Sequence, residues 1–230
     1  MATLESSRQF WNEKAKERPY WYVSSYTSYE HCDEEAFWNS GQKIWSEIKG
    51  ATGYRPRESD CVVEVGCGVG RLTRQIAREA GRVEAFDISE EMLRLARQNT
   101  PPNVNFHAAQ GASLAPLADR SADFVLAYCV FQHLPDLRAL QAYLAEMARV
   151  AKSGAMMAFT TSEADWKWKL LPLMRAKGFV KSKLGWQPPG LYKMEWLGIR
   201  PAPREVRARS PIALERADLG AGRWLYFGTA

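Results

Sequence analysis

The sequence predicts an α/β protein built on a doubly wound, mostly parallel, seven-stranded sheet, preceded by an aromatic N-terminal extension. Three observations predict it. Short apolar runs alternate with segments of helical period for about a hundred residues after Cys61. Each run is too apolar for a sheet with one wet face, and the helices between are long enough to cross over and cover both faces. A final pair of short strand patterns around Gly220-Ala221-Gly222 reads as a closing hairpin, which brings five strands to seven.

Taken in order, Ser6 to Tyr54 is rich in aromatic residues, with Trp11, Tyr20, Trp21, Tyr22, Tyr26, Tyr29, Trp38 and Trp45 interrupted by charges. It reads as a helical and irregular lid over residues 1–56, broken at Pro19 and near Pro56, because proline restricts itself and the residue before it. The main domain, 57–230, opens on an apolar strand, Cys61 to Val65. Gly66-Cys67-Gly68-Val69-Gly70 follows, then a helix over Arg71 to Glu79. Val83 to Phe86 is the second strand, and Ser89 is a candidate cap for the helix carrying Met92, Leu93 and Ala96. The third strand is Val104 to Ala108 and the fourth Phe124 to Tyr128. Leu137 to Val150 has helical spacing and leads through a turn at Lys152-Ser153-Gly154 to the strand Ala155 to Thr160. Residues 166–204, with KSKLGWQPPG, read as a connector or substrate-side insertion. Glu205 to Arg209 is a short helix, and Ala213 to Asp218 pairs with Arg223 to Gly228.

Composition bounds the function. A chain of 230 residues, 46% apolar, buries a substantial core. Its 31 Lys and Arg against 26 Asp and Glu are too balanced and dispersed to indicate a nucleic-acid surface. Cys32, Cys61, Cys67 and Cys129 lack metal-ligand spacing, so no metal site is expected, and the start has no long apolar core of a signal peptide. A reducing, cytoplasmic setting fits. No run reaches the roughly 18 apolar residues of a membrane span, and neither a membrane nor a nucleic acid is expected as partner.

The glycines after the first strand permit a tight turn and let a ligand approach main-chain atoms, with helix-terminal amides nearby. Asp87, at the end of the second strand, supplies the acid that accepts hydrogen bonds from ribose hydroxyls in dinucleotide folds. Glu64, just before the turn, can support the loop or reach an amino group through water.

With VVEVGCGVGR, EAFDISEEM, NFHAAQGASL, ADFVLAYCVFQHL and MARVAKSG in place, the sequence resembles the class I S-adenosylmethionine-dependent methyltransferases, particularly their small-molecule branch, from about Arg57 to Thr160. The resemblance implies S-adenosylmethionine as cofactor. By position it sets Gly66, Gly68 and Gly70 beside the methionine portion, Asp87 at the ribose, Ile88 and Met92 at the adenine, and Cys129 near the methionine end. Gln110, followed by Gly111 on the adenine side, stands where the family commonly has aspartate; its carbonyl still accepts from an adenine amino group. Lys152-Ser153-Gly154 replaces the more usual Pro-Gly-Gly turn.

A sulfonium-bound methyl group needs an aligned nucleophile more than a dedicated acid. For a hydroxyl acceptor a base helps, and His133 is the candidate, because the resemblance puts Phe131-Gln132-His133-Leu134 beside the cofactor. His107 reads as structural and His31 has no assigned role. Tyr20 and Trp21 are the expected lid contacts to the cofactor, with Tyr29 at the acceptor. The Trp166, Trp186 and Trp196 region would complete the acceptor pocket or form a homodimer contact. Lys181, Lys183, Arg204, Arg207 and Arg209 read best as a solvated basic face. The expected activity is methylation of a small-molecule oxygen or nitrogen. A nucleic-acid methyltransferase and a noncatalytic S-adenosylmethionine-binding scaffold are the alternatives.

Overall fold

The computed structural model describes residues 2–24, 29, 31–163, 170–220 and 222–230. Its strands are β1 (Cys61–Val65), β2 (Arg82–Asp87), β3 (Val104–Ala108), β4 (Ala122–Ala127), β5 (Ala151–Ser162), β6 (Glu215–Asp218) and β7 (Arg223–Thr229). They form a seven-stranded sheet in the order β3-β2-β1-β4-β5-β7-β6. The first five run parallel, while β7 is antiparallel to both β5 and β6. The chain therefore reverses its winding beside β1 and β4, the position at which open α/β sheets leave a crevice at the strand ends.

Period-two burial explains why the sheet has two covered faces. Val63, Val65, Val125, Ala127, Met157 and Phe159 point into one apolar cluster. Their neighbours Val62, Phe124, Leu126 and Ala158 point into the other. The first face is covered by α6 (Leu137–Val150), whose Leu140, Tyr143, Leu144 and Met147 are buried at helical spacing. Asp136 caps it by accepting from the Arg138 and Ala139 amides. On the second face lies α3 (Glu34–Thr52), through Ile44, Trp45 and Ile48. The expected lid over 1–56 is thus divided: α3 is a sheet-covering helix, while α1 (Leu4–Glu17) and α2 (Pro19–Val23) sit at the carboxyl ends of the strands.

Two local readings change. The helix expected over Arg71 to Glu79 is reduced to α4 (Thr73–Ile76), flanked by turns. No side chain caps it, and bonds such as Gln75 N–H to Leu72 O and Glu79 N–H to Ile76 O close tighter three-residue turns. Lys152-Ser153-Gly154 is not a turn ahead of the fifth strand but part of it. Pairing passes from Ala122 with Ala151 to Phe124 with Met156, so the extra residues bulge, with Gly154 at φ 80°.

The remaining helices are α5 (Glu90–Asn99), capped by the Ser89 hydroxyl, α7 (Leu171–Lys183), α8 (Met194–Leu197) and α9 (Pro203–Arg207). Among the described residues no helix is long and apolar enough to cross a membrane.

Candidate functional site

A cavity of about 320 Å³ opens where β1, β2 and β4 end. The turn after β1 is fastened to β2 by the Gly66 and Cys67 amides, which both donate to Phe86 O at 2.7 and 2.9 Å. Gly66 adopts φ 74°, and a Cβ there would lie 2.2 Å from Val130 Cγ2, so no other residue fits without displacing the loop after β4. Gly66 and Gly68 line the cavity. Gly70 does not; it packs against Ala96 of α5 and Thr100 just beyond it, as the glycine that allows close helix contact.

Asp87 reaches back to this turn. Its Oδ2 accepts from the Gly68 amide and its Oδ1 from the Ser89 amide, both at 2.8 Å. Burial dominates even so and raises its carboxyl to about 6. Glu64 is also buried and accepts from the Thr73 hydroxyl at 2.6 Å. Burial, aided by the charge of Asp87, lifts it to about 7. Burial thus raises both carboxyl groups, which line the same cavity.

Ile88 and Met92 line the same end of the cavity, with Ala109. The Gln110 side chain is exposed, and Gly111, at φ 66°, offers its carbonyl to the Tyr143 hydroxyl; neither lines the cavity. His107 bonds Glu84 at 2.6 Å and stacks on Phe86, a structural position.

The opposite end is built on the loop after β4. Cys129 takes φ 59°, uncommon for a residue with a side chain, and its amide donates to Thr160 Oγ1 at 2.7 Å. That bend leads into a 3-10 turn, Phe131–His133. His133 Nδ1 lies 2.6 Å from the main-chain oxygen of Trp196, which can only accept, so Nδ1 carries the ring proton and Nε2 is left as acceptor. Burial lowers its pKa to about 4, despite the hydrogen bond to Trp196. The ring is flanked by Trp11 and Trp196 at centroid distances of 5.1 and 5.3 Å.

The segment that carries Trp196 is locked onto this turn. Gly198, at φ 52°, sits so close that a Cβ would be 2.0 Å from Gln132 O, and the Arg200 guanidinium donates to Gln132 O, Leu197 O and Ile199 O. Trp186 is 72% exposed and takes no part; Trp166 lies outside the described residues. Of the three tryptophans expected at the acceptor pocket, Trp196 alone is seen lining it.

The lid is made by α1 and α2. Leu4, Ser7 and Trp11, at helical spacing on α1, face the cavity, and Asn12 Oδ1 accepts from the Ser89 hydroxyl and the Glu91 amide, tying α1 to the start of α5. On α2 it is Tyr22 and Val23 that line the cavity. Trp21 stands behind them, stacked on Trp196 at 6.0 Å, and Tyr20 packs between Phe37 and Trp38. Tyr29 contacts Trp21 and Tyr22 and bonds Glu17. The i, i+3, i+7 spacing of Leu4, Ser7 and Trp11 was the available signal for the α1 contacts. Nothing local distinguished Tyr22 from Trp21. The Ser7 hydroxyl and Gln132 Oε1 are buried at the cavity without a protein partner.

Residues 63–159 match the family model described as a methyltransferase domain. A ubiquinone biosynthesis O-methyltransferase of Hydrogenovibrio crunogenus is 28% identical over 123 residues, covering 52% of this chain and 50% of that protein. One from Rhizobium rhizogenes is 27% identical over 176 residues, covering 75% and 66%. The chain thus spans about half to two thirds of the length of these curated relatives. Among solved structures, magnesium protoporphyrin IX methyltransferase from Synechocystis PCC 6803 with bound SAH shares the fold at a TM-score of 0.67 and 16% identity, over 98% of both chains.

Proposed function

The chain belongs to the class I S-adenosylmethionine-dependent methyltransferase family, small-molecule branch, and from that premise we propose that it transfers the methyl group of S-adenosylmethionine to an oxygen nucleophile of a small molecule. The observation that carries this reading is the join in one cavity of the Gly66–Gly68 turn and Asp87 at one end with His133 and an aromatic wall at the other.

The residues present fit the cofactor. Gly66 and Gly68 leave main chain bare at the cavity, Asp87 has carboxylate oxygens for a ribose, and Ile88 and Met92 offer apolar contact to a base. The buried, unpartnered Ser7 hydroxyl and Gln132 Oε1 are polar atoms that a bound ligand would satisfy. Bound there, S-adenosylmethionine supplies an electrophilic methyl group.

The chain's own residues then bind, align and exclude water. Trp11, Tyr22 and Trp196 give flat walls that suit an acceptor with an apolar or aromatic body. His133 stays neutral across the working range, and its Nε2, which accepts from the Gln132 side-chain amide at 3.3 Å, becomes the acceptor for a substrate hydroxyl that displaces that amide. With a pKa near 4 it is a weak base, so its contribution is chiefly to orient the hydroxyl and receive its hydrogen bond as attack proceeds. An oxygen acceptor is further supported by the O-methyltransferase relatives. The four free thiols suit the cytoplasmic setting proposed for it.

The test is a metabolite-extract assay with a methyl-labelled donor. Label in a low-mass product supports the reading. Label only in nucleic acid overturns it in favour of that alternative. Saturable binding of the donor with no labelled product from extract or nucleic acid points to a noncatalytic scaffold.

A further inference from the structure

We propose that α7 and the loop after it form a docking surface for an anionic phospholipid bilayer, on which the protein lies without crossing it. This inference does not depend on the methyl-transfer reading, and it replaces the expectation from the sequence that no membrane is a partner.

The first observation is an apolar stripe that stands exposed among the described residues. Leu173, Ala176, Val180 and Leu184 follow at intervals of three and four, which sets them on one side of the helix. Leu173 is 65% exposed, and Val180 and Leu184 are each 53% exposed. Gly178, two positions from Val180 and so on the opposite side, is the buried position, against Tyr192. That inner side is held to the protein by Gln187 donating to Gly178 O at 2.9 Å and by Arg175 Nε at 3.3 Å from Tyr192 O. The helix is therefore anchored by one edge and offers its apolar side outward. Exposed Trp186 extends the patch, while Phe179 sets its ring edge-on against Tyr192 on the anchored side.

Charge selects the occupant. From 166 to 194 the sequence carries Lys167, Lys169, Arg175, Lys177, Lys181, Lys183 and Lys193 and not one Asp or Glu. The rest of the chain has 24 basic and 26 acidic residues, so this stretch holds more than the whole of the protein's +5. Lys177 and Lys183 fall on the two flanks of the stripe by helical geometry; the Lys183 ammonium lies 5.8 Å from the centre of the Phe179 ring, and a long lysine stem on an apolar surface lets its charge swing out to a headgroup. Exposed apolar side chains interleaved with lysines, Met174 beside the stripe among them, with an exposed tryptophan nearby, suit contact with the interface of a bilayer with anionic lipids. A second copy of this chain would set the same lysines against each other, since the patch has no acid to pair them.

The placement also relates the surface to the cavity. Pro189, in the loop after α7, accepts from the hydroxyl of Tyr22, and the same segment continues to Trp196 in the cavity wall.

The experiment is vesicle flotation with the full chain. It compares phosphatidylcholine vesicles with vesicles of phosphatidylcholine and phosphatidylglycerol, each at low and high salt. The expected result is binding to the anionic vesicles that weakens in high salt, as screening requires. Leu173→Ser/Val180→Ser/Leu184→Ser and Lys177→Ser/Lys183→Ser should each lower it by roughly tenfold or more. Thermal melts and S-adenosylhomocysteine binding should stay as in the wild type, because these side chains lie away from the cavity. No binding to anionic vesicles by the folded wild type overturns the proposal. Equal binding by both folded variants overturns it too. A dimer seen by light scattering that the apolar variant dissolves, with no vesicle binding, assigns the surface to a second copy instead.

Discussion

His133 donates its Nδ1 proton to the main-chain oxygen of Trp196 at 2.6 Å, joining the turn after β4 to a residue 63 positions further along the chain. That bond does two things. It selects the tautomer in which Nε2 accepts, here from the Gln132 side-chain amide at 3.3 Å, and it sets the Trp196 ring against Trp11, Trp21 and Tyr22 in the aromatic wall. The chemistry at the methyl end therefore depends on how well residues 194–200 are docked.

His133→Asn is expected to lower the single-turnover methyl-transfer rate by roughly tenfold, short of the hundredfold or more of full general-base assistance. S-adenosylhomocysteine affinity should stay within a few-fold of the wild type. Because the ring is already neutral above about pH 5, the wild-type rate should carry no histidine limb between pH 5 and 8. Rapid-quench measurements across that range check both statements. An inflection near 6.5 that disappears in the variant would contradict the buried, neutral ring.

Asp87 is expected to make cofactor affinity pH-dependent. Ribose hydroxyls donate best to the ionised carboxylate, whose pKa burial has raised to about 6, so affinity should fall as pH drops below 6 and level off above 7. Asp87→Asn should weaken S-adenosylhomocysteine binding by about ten- to a hundredfold at pH 7.5 and flatten the profile. Titration calorimetry from pH 5 to 8 reads both. A profile unchanged in the variant would take Asp87 out of the ribose site.

Glu64 should act on stability in the opposite direction to a paired surface acid. Its folded pKa, about 7, lies above the ordinary carboxylate value, so the protonated form is favoured by folding. Its contribution is full below about pH 4.5 and is lost as pH rises through 7, at most about 3 kcal/mol across the window. Glu64→Gln, which keeps the neutral shape, should therefore lose less melting temperature than the wild type between pH 5 and 8. Parallel losses in the two proteins would mean that Glu64 ionises in the fold as it does in the unfolded chain.

Gly198→Ala is expected to destabilise the docked segment by about 1–3 kcal/mol, since φ 52° is unfavourable for alanine and the added Cβ would meet Gln132 O at 2.0 Å. The acceptor KM should rise while cofactor affinity changes little, because Gly66, Gly68 and Asp87 are untouched. A melt and a KM equal to the wild type would show that the Trp196 wall adjusts without cost.

The succession of strands along the chain, most of the crossing helices and the place of the glycine turn were legible in the sequence, while the order of strands in the sheet was not. The legible features follow from short-range pattern: apolar runs such as Val62-Val63, a glycine turn with an acid at the end of the next strand, and a cap at Ser89. The amphipathic helix over Leu137–Val150 was readable to the residue from its 3.6-residue apolar period, and the structure adds the Asp136 cap. The helix after Gly70 was not, because its apolar spacing is compatible with both a regular helix and the tighter turns it adopts.

The candidate site was half legible for the same reason. Gly66, Gly68, Asp87, Ile88 and Met92 gather through contacts between neighbouring elements, and sequence order alone brings them together. Tertiary structure alone decided that Tyr22, rather than Tyr20 or Trp21, lines the cavity, and that Gly70 serves α5. It also paired His133 with Trp196 across 63 residues and left α7 with its apolar side bare. Each of those outcomes turns on which of several equally apolar side chains finds a partner on a distant segment. Local propensity is blind to that choice, because burying one aromatic ring or its neighbour removes a similar area from water.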